Sequence, residues 1–157
     1  MKYHNILLVD DSPNVLKALK RIFRLTAGYT IFSAESGHEA LGILENHEID
    51  ILITDENMPK MTGTELLNTI RVLYPQVIRF MLTGQSDIEI AKKAINNGEI
   101  YRFFTKPCDD FELLIAVRYA LERKNLEIEN AKLQEIVKRQ ENTLRNIASQ
   151  HPELLKL

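Results

Sequence analysis

Residues 51–63 read ILITDENMPKMTG, and the fold is legible from this stretch outward. Apolar and β-branched side chains dominate from Ile49 to Thr54, over a length that suits a strand and is too short for a helix. The run stops at an acid, Asp55. A loop containing Pro59 follows, and Thr62 with Glu65 three residues later has the spacing of a helix N-cap. A buried strand, an acidic turn and a helix therefore succeed one another within about one β-α unit.

The same unit recurs along the chain. Strand-like runs occupy Asn5 to Val9, Tyr29 to Ala34, Ile49 to Thr54, Val77 to Thr83 and Ile100 to Thr105. Helix-start signals fall between them: Ser12-Pro13, Ser36 with Glu39, Thr62 with Glu65, Ser86 with Glu89, and Asp109 with Glu112. Gly28 and Gly98 stand where helices should stop. Strands this apolar, alternating with helices, predict an α/β fold with a doubly wound parallel sheet of five strands covered on both faces.

From Phe111 to Gln150 there is neither glycine nor proline, which predicts one long helix ending before Pro152. Leu113, Leu114, Val117, Ala120 and Leu121 are placed to dock its first turns on the sheet. Beyond them Leu126, Leu133, Gln140 and Ile147 alternate with Asn130, Val137 and Leu144 at intervals of four and three, a heptad seam. Asn130 at a core position of that seam favours two parallel strands. The flanking positions Glu129, Ile136, Thr143, Glu127, Gln134 and Glu141 lack pairing of opposite charges, so a solvated helix or linker to a further domain is the competing account. The division expected is a domain over residues 1–123 and a helical extension over 124–157, forming a homodimer through the helix.

A chain of 157 residues allows one domain plus such an appendage. The net charge of −2 gives no overall attraction to nucleic-acid phosphates, and no nucleic-acid partner is expected. Cys108 is the single cysteine, so no intrachain disulfide forms and a reducing, cytoplasmic address is expected. The N-terminal apolar run meets Asp10 too soon for a secretory signal, and no run is long enough to span a membrane.

Ligands of an open parallel sheet gather beyond the C-terminal ends of its strands. Those ends carry Asp10 and Asp11, Asp55, Thr83, and Lys106 followed by Pro107. Crowded carboxylates repel one another unless a cation offsets them, and oxygen-only ligands select Mg²⁺. With Asp10 and Asp11 as a metal mount, Asp55 is the candidate nucleophile toward phosphorus. Lys106 is placed to neutralise the transferred group and Thr83 to hydrogen-bond one of its oxygens. Cys108, lacking a histidine partner, is expected to be inert, and the four histidines are expected at the surface.

Taken together, ILLVDDSP, ILITDENMPKMTG with its D-x-x-M-P-x-M-x-G spacing, FMLTG and FFTKP resemble the receiver domain of bacterial two-component response regulators, from Lys2 to about Arg123. The resemblance implies a flavodoxin-like (βα)5 fold that takes a phosphoryl group from a histidine kinase or phosphotransfer protein onto Asp55. It further implies Mg²⁺ bound by Asp11, Asp55 and the backbone carbonyl of Asn57, with Asp10 acting through a water or helping to hold the site, and Lys106 paired to the phosphoryl group. Thr83 and Phe103 would form the switch, acting on the face made by the fourth helix, fifth strand and fifth helix; phenylalanine excludes a switch reported by a tyrosine hydroxyl. Asn57 and Gln85 would tune the phosphoryl lifetime, and the Lys106-Pro107 bond would be cis. The implied protein is a signalling switch rather than an enzyme, apart from slow self-dephosphorylation. Its rivals are a haloacid-dehalogenase-like aspartyl-phosphate hydrolase, whose D-x-D pair is missing from both Asp55-Glu56-Asn57 and Asp10-Asp11-Ser12, and a constitutive dimeric scaffold. FFTKPCDDFEL also resembles receivers joined to cyclic-dinucleotide phosphodiesterases.

Overall fold

A computed structural model describes residues 3–156. The strands are β1 (His4–Val9), β2 (Tyr29–Ala34), β3 (Ile51–Asp55), β4 (Ile78–Thr83) and β5 (Arg102–Thr105). Between and after them run α1 (Pro13–Arg24), α2 (Gly37–Asn46), α3 (Gly63–Leu73), α4 (Ile88–Asn96) and α5 (Asp110–Gln150). All pairings are parallel, in the order β2-β1-β3-β4-β5. This is the five-stranded flavodoxin-like architecture expected.

The strand limits differ from the apolar runs by one or two residues, for a physical reason. Ile49, Val77 and Ile100 are buried yet lie outside the strands. Their apolar character reports a dry environment rather than ladder hydrogen bonds.

Local chemistry starts most helices as expected. Ser12 Oγ accepts from the Val15 amide, with Pro13 in the first turn, and Ser36 and Thr62 cap α2 and α3 in the same way through Glu39 N and Glu65 N. Asp109 Oδ1 accepts from the amides of Phe111 and Glu112. The expected Ser86 cap is corrected: Gln85–Asp87 form a short 3₁₀ turn, and α4 begins at Ile88 without a side-chain cap. Gly28 and Gly98 both adopt positive φ, 104° and 73°, where a Cβ is disfavoured.

Alternation along the strands divides the core into two layers. Leu7, Val9, Leu52 and Met81 join Ala40 and Leu44 of α2, Leu66, Leu67 and Ile70 of α3, and Ala91 and Ala94 of α4 in one cluster. Ile6, Leu8, Ile51, Ile53, Phe80 and Leu82 are buried on the other side of the sheet. Leu16, Leu19, Ile22 and Phe23 of α1 and Leu113, Ala116 and Val117 of α5 are buried as well, outside the first cluster. Fully burying side chains of this size contributes roughly 1.5–3 kcal/mol each before chain entropy is counted.

The chain divides into two compact units, the first ending at Val117 and the second beginning at Arg118. In the second, exposed pairs Arg118–Glu122, Arg123–Glu127 and Glu135–Arg139 lie one helical turn apart. The heptad positions Leu126, Leu133, Val137 and Leu144 are 65, 54, 51 and 65% exposed. After Gln150 the chain turns through a 3₁₀ segment, Pro152–Lys156, and Leu154 and Leu155 join Leu144, Ile147 and Ala148 around an apolar recess of about 430 Å³.

Candidate functional site

The strand order reverses between β1 and β3, and this switch point positions the acids. Asp55 is the last residue of β3, while Asp10 lies one residue past β1. The Asp10 amide still donates to Ala34 O at 3.1 Å, so the ladder with β2 holds it in place. Lys106 is fixed in the same manner one residue past β5, its amide donating to Thr83 O at 2.8 Å. Carboxylate oxygens of Asp10, Asp11 and Asp55 lie within 4.8 Å of one another.

The adjacent acids Asp10 and Asp11 are not equivalent. Asp10 is 2% exposed; its Oδ1 accepts from the Ser12 amide at 2.9 Å and its Oδ2 contacts Lys106 Nζ at 3.1 Å. Asp11 is exposed. Lys106 Nζ also lies 3.1 Å from Asp55 Oδ1 and so bridges the two buried carboxylates.

Burial pushes the Asp55 carboxyl above its ordinary range, and Lys106, though it favours the charged form, only partly offsets this. Burial alone would lower the Lys106 ammonium. The hydrogen bond to Asp55 and the charges of both acids prevail and hold it above its usual value.

The loop after Asp55 is shaped by close packing. A Cβ on Gly63 would lie 2.3 Å from the Asp55 carbonyl oxygen, so only glycine fits there. Gly63 N donates to Glu56 O at 2.9 Å. The buried Glu56 carboxylate accepts from both the amide and the hydroxyl of Thr64, at 2.9 and 2.7 Å. Burial raises the Glu56 carboxyl. Met58 is buried in the core and Met61 packs against it.

Thr83 is fully buried, its hydroxyl donating to Gly84 O at 3.3 Å. Phe103 is half-buried beside the same core. Asn57 and Gln85 are exposed, and Asn57 Nδ2 donates to Asp87 Oδ2. The Lys106-Pro107 peptide is cis.

The profile of the response regulator receiver domain matches residues 6–118. The chain belongs to the receiver-domain family of response regulators. This receiver is 38% identical over 120 residues to the transcriptional regulatory protein GlrR of Escherichia coli, a match covering 76% of the chain and 26% of GlrR. It is 29% identical over 119 residues to a cyclic di-GMP phosphodiesterase of Thermotoga maritima, covering 76% of the chain and 31% of that protein. Among solved structures, the signal receiver domain of an HD domain-containing protein from Pseudomonas fluorescens has 40% identity and a TM-score of 0.74, covering 79% of this chain and 98% of that one.

The receiver thus spans about a quarter to a third of the length of these curated relatives. Several relatives are transcriptional regulatory proteins, so the expectation that nucleic acid is no partner finds no support in them. Among the described residues, no helix is long and apolar enough to cross a membrane.

Two receiver contacts had no local sequence signal: Glu56 with Thr64, and Asn57 with Asp87. One minor expectation is corrected as well. His38, His47 and His151 are exposed, but His4 is partly buried, 3.8 Å from Asp50.

Cys108 is half-buried, and burial, reinforced by Glu112, Asp109 and Asp110, pushes its thiol up to about 11. Only the thiolate alkylates readily. At pH 8 its reaction with iodoacetamide should therefore be more than tenfold slower than that of free glutathione, and the rate should climb with pH until about 11. Alkylation at the glutathione rate would contradict the buried, acid-flanked setting.

Proposed function

We propose that this receiver accepts a phosphoryl group on Asp55 from a phosphohistidine of a sensor kinase or phosphotransfer protein. The observation that carries this reading is Lys106 Nζ, 3.1 Å from both Asp10 and Asp55 at the mouth of one crevice. An Asp55 oxygen forms the new P–O bond as the donor P–N bond breaks, and the released imidazole takes a proton. Lys106, already held against Asp55, offsets charge on the transferred group.

The all-oxygen donor set fits Mg²⁺. Exposed Asp11, Asp55 and the Asn57 backbone carbonyl would hold it, with Asp10, whose oxygens are engaged by Ser12 N and Lys106, acting through water. Bound there, Mg²⁺ would supply positive charge to the carboxylates and the phosphoryl oxygens. In acetyl phosphate with Mg²⁺, the intact protein should gain one phosphoryl mass, and chelation of Mg²⁺ should prevent it. A folded protein that gains none overturns the reading.

Thr83 and Phe103 are assigned the switch, Asn57 and Gln85 the orientation of water that limits the phosphoryl lifetime. The response is carried by the face formed by α4, β5 and α5, where Ile90, Tyr101, Phe111 and Ile115 are exposed apolar residues. The missing D-x-D pair weighs against a haloacid-dehalogenase-like hydrolase, and the intact acidic cluster against a vestigial scaffold. A reducing, cytoplasmic setting suits a protein with one free cysteine.

The helical extension is assigned to a parallel homodimer. Its exposed heptad seam and the recess around Leu144 and Leu155 are then covered by a second copy. Light scattering should give a dimer for the full chain, and Leu133→Glu with Val137→Glu should give a monomer that still gains its phosphoryl group. A wild-type chain that is monomeric both with and without beryllofluoride would remove the self-pairing assignment.

A further inference from the structure

The two loops bordering the crevice are tied together by side chains. Asn57, two residues beyond Asp55, donates through Nδ2 to Oδ2 of Asp87, at the end of the Gln85–Asp87 turn that opens α4. An aspartate preceding a helix ordinarily accepts from the helix's first free amides. Asp87 makes no such cap bond, and its carboxylate is engaged by Asn57 instead. The connection continues inward: the Asp87 amide donates to Gly84 O at 3.1 Å, and the same carbonyl accepts the Thr83 hydroxyl at 3.3 Å. One chain of hydrogen bonds thus runs from the acceptor loop, through Asp87 and Gly84, to the buried hydroxyl assigned to the switch.

We propose that Asp87 is a positioning residue, a latch that holds the β3–α3 loop and the β4–α4 turn in the unphosphorylated arrangement. The proposal rests on the phosphoacceptor reading above for its functional consequence. For the Thr83 hydroxyl to leave Gly84 and meet a phosphoryl oxygen, the turn carrying Gly84 and Asp87 must move, and Asn57 must release it. The latch therefore weighs against the switched state. Releasing Asn57 also frees the amide assigned to orient water.

The test compares Asp87→Ala, Asp87→Asn and Asn57→Ala with the wild type in two measurements. Amide hydrogen exchange over residues 84–90, without any ligand, should be faster in Asp87→Ala and Asn57→Ala, and no faster still in the double variant. It should stay near wild type in Asp87→Asn, whose amide oxygen can still accept. Affinity for beryllofluoride with Mg²⁺ should rise about three- to tenfold in Asp87→Ala, the range for losing one intramolecular hydrogen bond of ordinary net strength, and little in Asp87→Asn. If Asp87→Asn matches Asp87→Ala in affinity, charge rather than the latch is at work and the proposal falls. It falls equally if exchange over residues 84–90 is unchanged in Asp87→Ala. Exchange that responds as described in a protein whose wild type binds no beryllofluoride would uphold the tie between the loops and overturn the phosphoacceptor reading alone.

Discussion

An Asp55→Asn protein should gain no phosphoryl group from acetyl phosphate under conditions that label the wild type, and should lose every response to beryllofluoride. The amide oxygen is a poor nucleophile, and the buried neighbour Asp10 is engaged through both oxygens, by Ser12 N and Lys106 Nζ. Lys106 keeps its contact with Asp10, so the site loses one carboxylate without leaving an unpaired buried ammonium. Stability should not fall. The folded Asp55 carboxyl is held above its ordinary value, so its contribution is fully present below the unfolded value and is lost as pH rises through the folded one. Asparagine has no such loss at neutral pH. A urea midpoint at or above that of the wild type, together with absent labelling, separates lost chemistry from lost fold; labelling at another residue would refute the assignment to Asp55.

The second large effect should come from a methyl group. Gly63→Ala places a Cβ 2.3 Å from Asp55 O and 3.0 Å from Glu56 Cα, backbone atoms that cannot turn aside. The acceptor loop must open, weakening the Gly63–Glu56 and Thr64–Glu56 bonds, at a cost of about 2–4 kcal/mol from overpacking and lost hydrogen bonds. Gly42→Ala is the opposite case. Nothing lies within 4 Å of its Cβ position inside α2, so alanine should stabilise the protein by about 0.5–1 kcal/mol through helix propensity. Urea denaturation of the pair tests both, and a neutral Gly63→Ala would show that the loop yields more easily than its packing implies.

The strands were readable because each side of the sheet is dry, which makes residues such as Ile51, Leu52 and Ile53 apolar without interruption. The polar residues of the site were readable because a strand end is a fixed place, and Asp55, Thr83 and Lys106 each stand at the end of an apolar run. The inequality of Asp10 and Asp11 came only through the family resemblance; no local spacing carries it, because the Lys106 contact that engages Asp10 spans 96 residues. Asn57 and Asp87, 30 residues apart, meet only because β3 and β4 are neighbours. Ser86 failed as a cap because local spacing cannot distinguish the first turn of an α-helix from a 3₁₀ turn preceding it.

The place of β1 in the sheet bears on how the chain is made. It is the first of the receiver's own strands to be synthesised, yet Ile6 pairs with Ile31 of β2 on one side and with Ile51 of β3 on the other. Until the third strand has been synthesised, β1 has an open flank lined by unpaired backbone groups and, from Ile6 to Val9, by apolar side chains, the kind of edge to which another nascent chain adds. The acceptor Asp55 closes β3, and so the segment that brings the acceptor to the crevice also covers the open flank of β1.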